Sequence, residues 1–98
     1  MIVERLVFHA KYGKGDALVD LFKRTRPMFE QAGSSMGRIL VDYTGTMFRV
    51  IVETEHADAS AWAKADAAGM EIPGFEAFFR EMEPLIERGE RELLRVVG

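Results

Sequence analysis

Five side chains of this 98-residue sequence have the types and positions to do chemistry: Arg5, His9, Asp42, Arg49 and Trp62. His9 ends an alternating apolar and polar run. In a cavity its neutral imidazole is a general base whose pKa can be tuned to working pH; otherwise it is a polar strand-end residue, hydrogen-bonded at a contact. Arg5 and Arg49 are suited to hold a carboxylate or enolate oxygen through two parallel hydrogen bonds, or else to pair with Asp42 and Glu53. Trp62 lies in an alanine-rich stretch where Ala61, Ala63 and Ala65 leave room beside the indole. It either packs in the core or walls a ligand pocket. The catalytic candidates are thus His9 and Arg49, and the ligand-binding candidates Arg5, Asp42 and Trp62.

Other chemistry is excluded by what is missing. The chain has no cysteine, hence no disulfide, thiolate nucleophile or cysteine-bound metal. His56 has no second histidine at helical spacing, so no metal site is expected, and no cofactor is required. Gly13-Lys14-Gly15 is too short for a phosphate-binding loop and reads as a turn. The net charge of −3 and the lack of a basic stripe argue against nucleic acid. No apolar stretch approaches the roughly 20 residues of a membrane span. The first residues carry charges inside their apolar run, unlike a signal peptide, and a cytoplasmic protein is expected.

The elements that position these residues follow from hydrophobic periodicity. Residues 2–11 read as a strand with Leu6, Phe8 and Ala10 on one side. Asp16 is an N-cap candidate for a helix running to about Ala32, kinked or restarted at Pro27 and ended by Gly33. Ser34-Ser35-Met36-Gly37 connects it to a β-hairpin from Arg38 to Glu55. With Thr44-Gly45 as the turn, Val41 faces Phe48 and Ile39 faces Val50. Asp58 is a second N-cap, for a short helix over 59–68. A further helical piece carries Phe75, Phe78, Phe79, Met82, Leu85 and Ile86, and Gly89 stops it. Glu92 to Val97 is the last strand, with Leu94 and Val96 facing the helices. The order β-α-β-β-α-β in one domain, 1–98, predicts an α+β ferredoxin-like fold: a four-stranded antiparallel sheet with both helices on one face.

The opposite face then holds Val3, Arg5, Val7, His9, Leu40, Asp42, Met47, Arg49, Ile51, Glu53, Leu93, Arg95 and Val97. A solvated face is more polar than this, and such a surface is at or beyond what a monomer usually exposes. A homodimer joined sheet to sheet would bury it, with the charged residues either pairing or lining a cavity. A solvated sheet with scattered aliphatics is the alternative.

These features, together with Pro73-Gly74-Phe75, Phe78-Phe79, Met82-Glu83-Pro84-Leu85-Ile86, Gly89 and Glu92-Leu93-Leu94-Arg95-Val96-Val97, resemble the dimeric α+β-barrel superfamily. The closest resemblance is to small members similar to antibiotic-biosynthesis monooxygenases and NIPSNAP proteins. The resemblance implies a homodimer with a cavity for a small, often aromatic or polyketide-like molecule. It also implies oxygenation or isomerisation without a cofactor, His9 as base, Arg49 and Arg5 as anion stabilisers and Trp62 as a pocket wall. A non-enzymatic ligand-binding or assembly module is the alternative. Two related activities are disfavoured. The haem-degrading branch uses an Asn and a His on the second helix, and Asp58 to Glu87 has neither; acylphosphatases need an Asn that the chain lacks. RNA-recognition modules of this topology need paired aromatics where this sequence has Val, Arg, Leu and Ile.

Overall fold

Leu6, Phe8 and Ala10 alternate along the first strand and point the same way, so a helical layer must cover that side. The computed structural model describes residues 1–34 and 36–98. Strand β1 (Ile2–Ala10) runs antiparallel between β3 (Arg49–His56) and β4 (Ile86–Arg95). Strand β2 (Arg38–Val41) pairs with β3, giving the order β2-β3-β1-β4. The helices are α1 (Gly15–Gln31), α2 (Ala59–Met70) and α3 (Phe75–Met82), and a 3-10 turn at Glu83–Leu85 leads into β4. This is the α+β ferredoxin-like arrangement that the element order predicts. None of the described helices is long and apolar enough to cross a membrane.

Local chemistry explains the helix ends. The Asp58 carboxylate accepts the Ala61 N–H at 2.8 Å and caps α2. Helix α1 starts at Gly15 without a side-chain cap, and Asp16 lies in its first turn, where a negative charge suits the helix dipole. Gly33, at φ +80°, ends α1: its N–H bonds to Glu30 O and the Ser34 N–H to Phe29 O. That pair of bonds is a Schellman motif. Ser35, in the following connection, lies outside the described residues. The core forms where α1 and α3 meet the sheet, through Leu18, Leu21 and Phe22 against Val50, Val52, Phe78 and Met82.

Two features differ from the sequence expectation. The β2–β3 pairing is shifted by two residues, so that Val41 lies opposite Val50 and Ile39 opposite Val52. Residues 42–48 therefore form a longer loop in place of a tight turn at Thr44-Gly45. Asp42 causes this by accepting both the Arg49 backbone N–H (2.9 Å) and the Arg49 Nε–H (3.0 Å). Phe48, at φ +60°, bends back so that its carbonyl takes the Ala10 N–H and its ring meets Tyr12 edge-on. A two-residue shift leaves every side chain on its own face, so the core survives it.

The second difference is in the last strand. It begins at Ile86 rather than Glu92, and its faces are the reverse of the expected ones. Gly89 does not stop a helix; it lies in β4 opposite Phe8, whose ring a Cβ there would touch at 3.4 Å. With Gly89 facing inward, alternation brings Arg91 and Leu93 inward too, opposite Leu6 and Glu4, and sends Glu90, Glu92 and Leu94 outward.

Candidate functional site

A cavity of about 310 Å³ lies between the sheet and the helices, within the size range of small-molecule sites. It exists because the helical layer is uneven. Helices α1 and α3 contribute large rings, and between Trp62 and Met70 α2 presents the small Ala65 and Gly69 to the same space. The innermost wall is aromatic: Phe8 packs on Phe22 at 5.3 Å, and Phe29 meets Phe78 edge-to-face at 5.1 Å. Met36, Val52 and Met82 complete the apolar part, and the half-exposed Met70 and Phe79 stand at its edge.

One end of the cavity is charged. Glu4 occupies an inward position of β1 and is only 8% exposed. A buried carboxylate requires partners, and Glu4 has two. The Trp62 Nε1–H donates to Glu4 Oε2 at 2.6 Å, and Arg91 Nε lies 3.4 Å from the same oxygen. Arg91 also reaches Asp66 Oδ1 at 3.3 Å, and its guanidinium carbon is 5.8 Å from the Trp62 ring centroid, within cation–π range. Thr54, opposite Glu4 in the strand register, shares a 2.9 Å hydrogen bond with His56 Nε2. The cavity thus joins an aromatic interior to a compact polar cluster from β1, β3, α2 and β4. Such a shape suits a flat apolar molecule with one polar group.

Of the residues singled out in the sequence, Trp62 lines this cavity. Arg5, His9 and Arg49 share the opposite face of the sheet, Asp42 follows β2 and is bonded to Arg49, and none of the four lines the cavity. All four are paired. Arg5 meets Glu53 at 2.9 Å and Arg38 meets the other Glu53 oxygen at 2.5 Å. The Arg38 guanidinium, and then that of Arg5, holds the Glu53 carboxyl below the usual carboxylate range. Arg49 pairs with Asp42 at 3.0 Å. His9 Nε2 lies 2.9 Å from Glu90, and this contact, with help from Arg88, keeps the Glu90 carboxyl low as well. Among the described residues no group of three or more histidine, aspartate and glutamate side chains is placed to hold a metal ion.

Glu4, Thr54, Asp66 and Arg91 were not singled out from the sequence. For Glu4 the signal was present: it shares the parity of Leu6 and Phe8, and a carboxylate on the inward side of a strand needs an explanation. Arg91 had no such signal, because the last strand was read as starting after it.

No protein-family model matches the chain, and no curated protein matches it. Solved structures do. An uncharacterized NIPSNAP-domain protein from Burkholderia xenovorans superposes with a TM-score of 0.88 at 19% identity, over 99% of this chain and 95% of the other. A NIPSNAP-family protein from Agrobacterium tumefaciens gives 0.86 at 21%, over 98% and 92%. A candidate antibiotic biosynthesis monooxygenase from Nitrosomonas europaea gives 0.75 at 13%, over the whole of both chains. The chain has the ferredoxin-like fold of NIPSNAP-domain and antibiotic-biosynthesis-monooxygenase-like proteins, the fold that its sequence resemblance implied.

Proposed function

We propose that this protein binds a small, largely aromatic molecule in the cavity between the sheet and the helices, and that it does so as a homodimer joined through the outer face of the sheet. The observation that carries the reading is the cavity itself: phenylalanine walls at one end and, at the other, the buried Glu4 held by Trp62 and Arg91. Its catalytic form is oxygenation or isomerisation without a cofactor, and one structural neighbour is described as a candidate monooxygenase. In this reading Trp62 is a wall of the site, while Arg5, His9, Asp42 and Arg49 set the geometry of the dimer. The outer face supports dimerisation because Arg5, Arg38, His9 and Arg49 arrive already paired with Glu53, Glu90 and Asp42, which leaves Glu55 and Glu92 as the carboxylates that a partner must meet or leave at the rim. Between these charged residues lie Val3, Leu40, Ile51 and the 43%-exposed Leu94, whose burial favours association.

The same paired charges favour a second reading, a binding or assembly module without turnover. The two are separated by whether a bound molecule is changed.

Trp62 is the only tryptophan, which makes the proposal testable without a label. N-phenyl-1-naphthylamine, a neutral probe of apolar cavities, should quench Trp62 emission saturably with one site per chain. Gly69→Leu, which fills the cavity from α2, should abolish the effect. Quenching that persists unchanged in this variant places the probe elsewhere and removes the proposal.

A further inference from the structure

Resting on that reading, we infer that Glu4 selects the ligand: the occupant presents a neutral hydroxyl, of a phenol or an enol, to Glu4 Oε1. Both contacts that Glu4 makes converge on Oε2, from Trp62 at 2.6 Å and Arg91 at 3.4 Å. Among the described residues no side chain donates to Oε1, and Glu4 lines the cavity. A carboxylate oxygen at the cavity wall with no protein donor is free to accept a hydrogen bond from an occupant.

Charge decides which donor. Glu4, Asp66 and Arg91 together carry a formal charge of −1, since two carboxylates face one guanidinium. Arg91 is already engaged by both acids, at 3.4 and 3.3 Å, so no cation is left for an anionic ligand. A ligand carboxylate would meet two like charges, Glu4 and Asp66, at the polar end of the cavity. An ammonium would have to enter beside the Arg91 guanidinium and leave its water behind for a phenylalanine-lined space. A hydroxyl on a flat ring avoids both costs, with its ring against Phe8, Phe22 and Phe78 and its O–H directed at Glu4. Thr54, the register partner of Glu4, also lines the cavity, with its hydroxyl bonded to His56.

Calorimetric titration of the full chain with matched naphthalenes tests this. 2-Naphthol should bind at least about fivefold tighter than 2-methoxynaphthalene, which has the same ring and oxygen but no O–H to give, as expected for a hydrogen bond to a charged acceptor. 2-Naphthoate and 1-naphthylmethylammonium should both bind more weakly than 2-naphthol. Glu4→Gln should reduce the preference for 2-naphthol over its methyl ether to below about twofold, because a neutral amide oxygen is the weaker acceptor. A smaller preference in the native chain overturns the inference even if Glu4→Gln does not fold. So does tighter binding of the carboxylate or the ammonium. If none of the four binds, the proposed cavity function fails with it; if all bind alike, only the role of Glu4 does.

Discussion

The indole N–H of Trp62 donates to the carboxylate of Glu4 across 2.6 Å and ties α2 to β1, one of the two inner strands of the sheet. Gly69 is the one buried residue of α2, so the helix has little core of its own to anchor it. The polar contact therefore does for α2 what Leu18, Leu21 and Phe22 do for α1. It also fixes one wall of the cavity.

Trp62→Phe keeps the ring and deletes the donor. Glu4 then stays buried with Arg91 as its remaining partner, and the loss should be about 1–3 kcal/mol of unfolding free energy. Urea denaturation measures it. A change below a few tenths of a kcal/mol would mean that water replaces the indole at no cost and that α2 is held by other contacts.

Two glycines should respond oppositely to alanine. Gly37 has φ +58°, and a Cβ there would lie 1.7 Å from the Glu53 carbonyl oxygen in β3. Gly37→Ala must displace backbone at the start of β2, and a loss of about 3 kcal/mol or more is expected. At Gly69, in the last part of α2, a Cβ meets, among the described residues, only Ser34 Oγ at an ordinary 3.6 Å. Gly69→Ala should gain about 0.5–1 kcal/mol from helix propensity. Thermal melts of the two variants give both signs directly.

Acid should weaken the outer face of the sheet. Arg38 and Arg5 lower the Glu53 carboxyl pKa from its ordinary 4.5. A carboxyl depressed by folding stabilises the protein fully above its unfolded pKa, and the contribution fades as pH falls through the folded value. The native melting temperature should thus drop on acidification from about pH 5 downward. Glu53→Gln should show a shallower drop over that range. Parallel curves for the two proteins would assign the acid limb to other carboxylates.

Light scattering should report twice the 11.1 kDa of one chain. Ile51→Asp places a carboxylate at the middle of the outer face, opposite Val7 and Leu40, and should shift the species toward the monomer. A native monomer at micromolar concentration would remove the homodimer from the proposal and leave the cavity untouched.

The periodicity of the sequence carried most of the fold. Leu6, Phe8 and Ala10 on β1, Val50 and Val52 on β3, and Asp58 at the start of α2 all act as their types and spacing predict. Where the reading departed, a distant contact outweighed a local preference. Thr44-Gly45 has good turn chemistry, but Asp42 gains two bonds to Arg49 only if the loop lengthens. Gly89 is a helix breaker locally, yet in the fold it makes room beside Phe8 and sets the parity of β4. The site suffered most from this reversal. Arg91 comes to the cavity only because β4 starts at Ile86, and without Arg91 the inward Glu4 had no visible partner. Trp62 could be read as a wall from its small neighbours, but what the indole bonds to depended on how three strands and a helix align.

The most direct test of the cavity as a ligand site is the indole resonance of Trp62. A protein with one tryptophan gives one indole Nε1–H signal in a ¹⁵N–¹H correlation spectrum, and here that proton is held by Glu4 at the polar end of the cavity. Titration with 2-naphthol should move this signal saturably, together with the backbone amides of Phe8, Ala65 and Gly69. Amides of the outer-face loop 42–48 should stay in place. If 2-naphthol instead shifts the loop amides and leaves the indole signal unmoved, the ligand does not enter this cavity and the account is wrong.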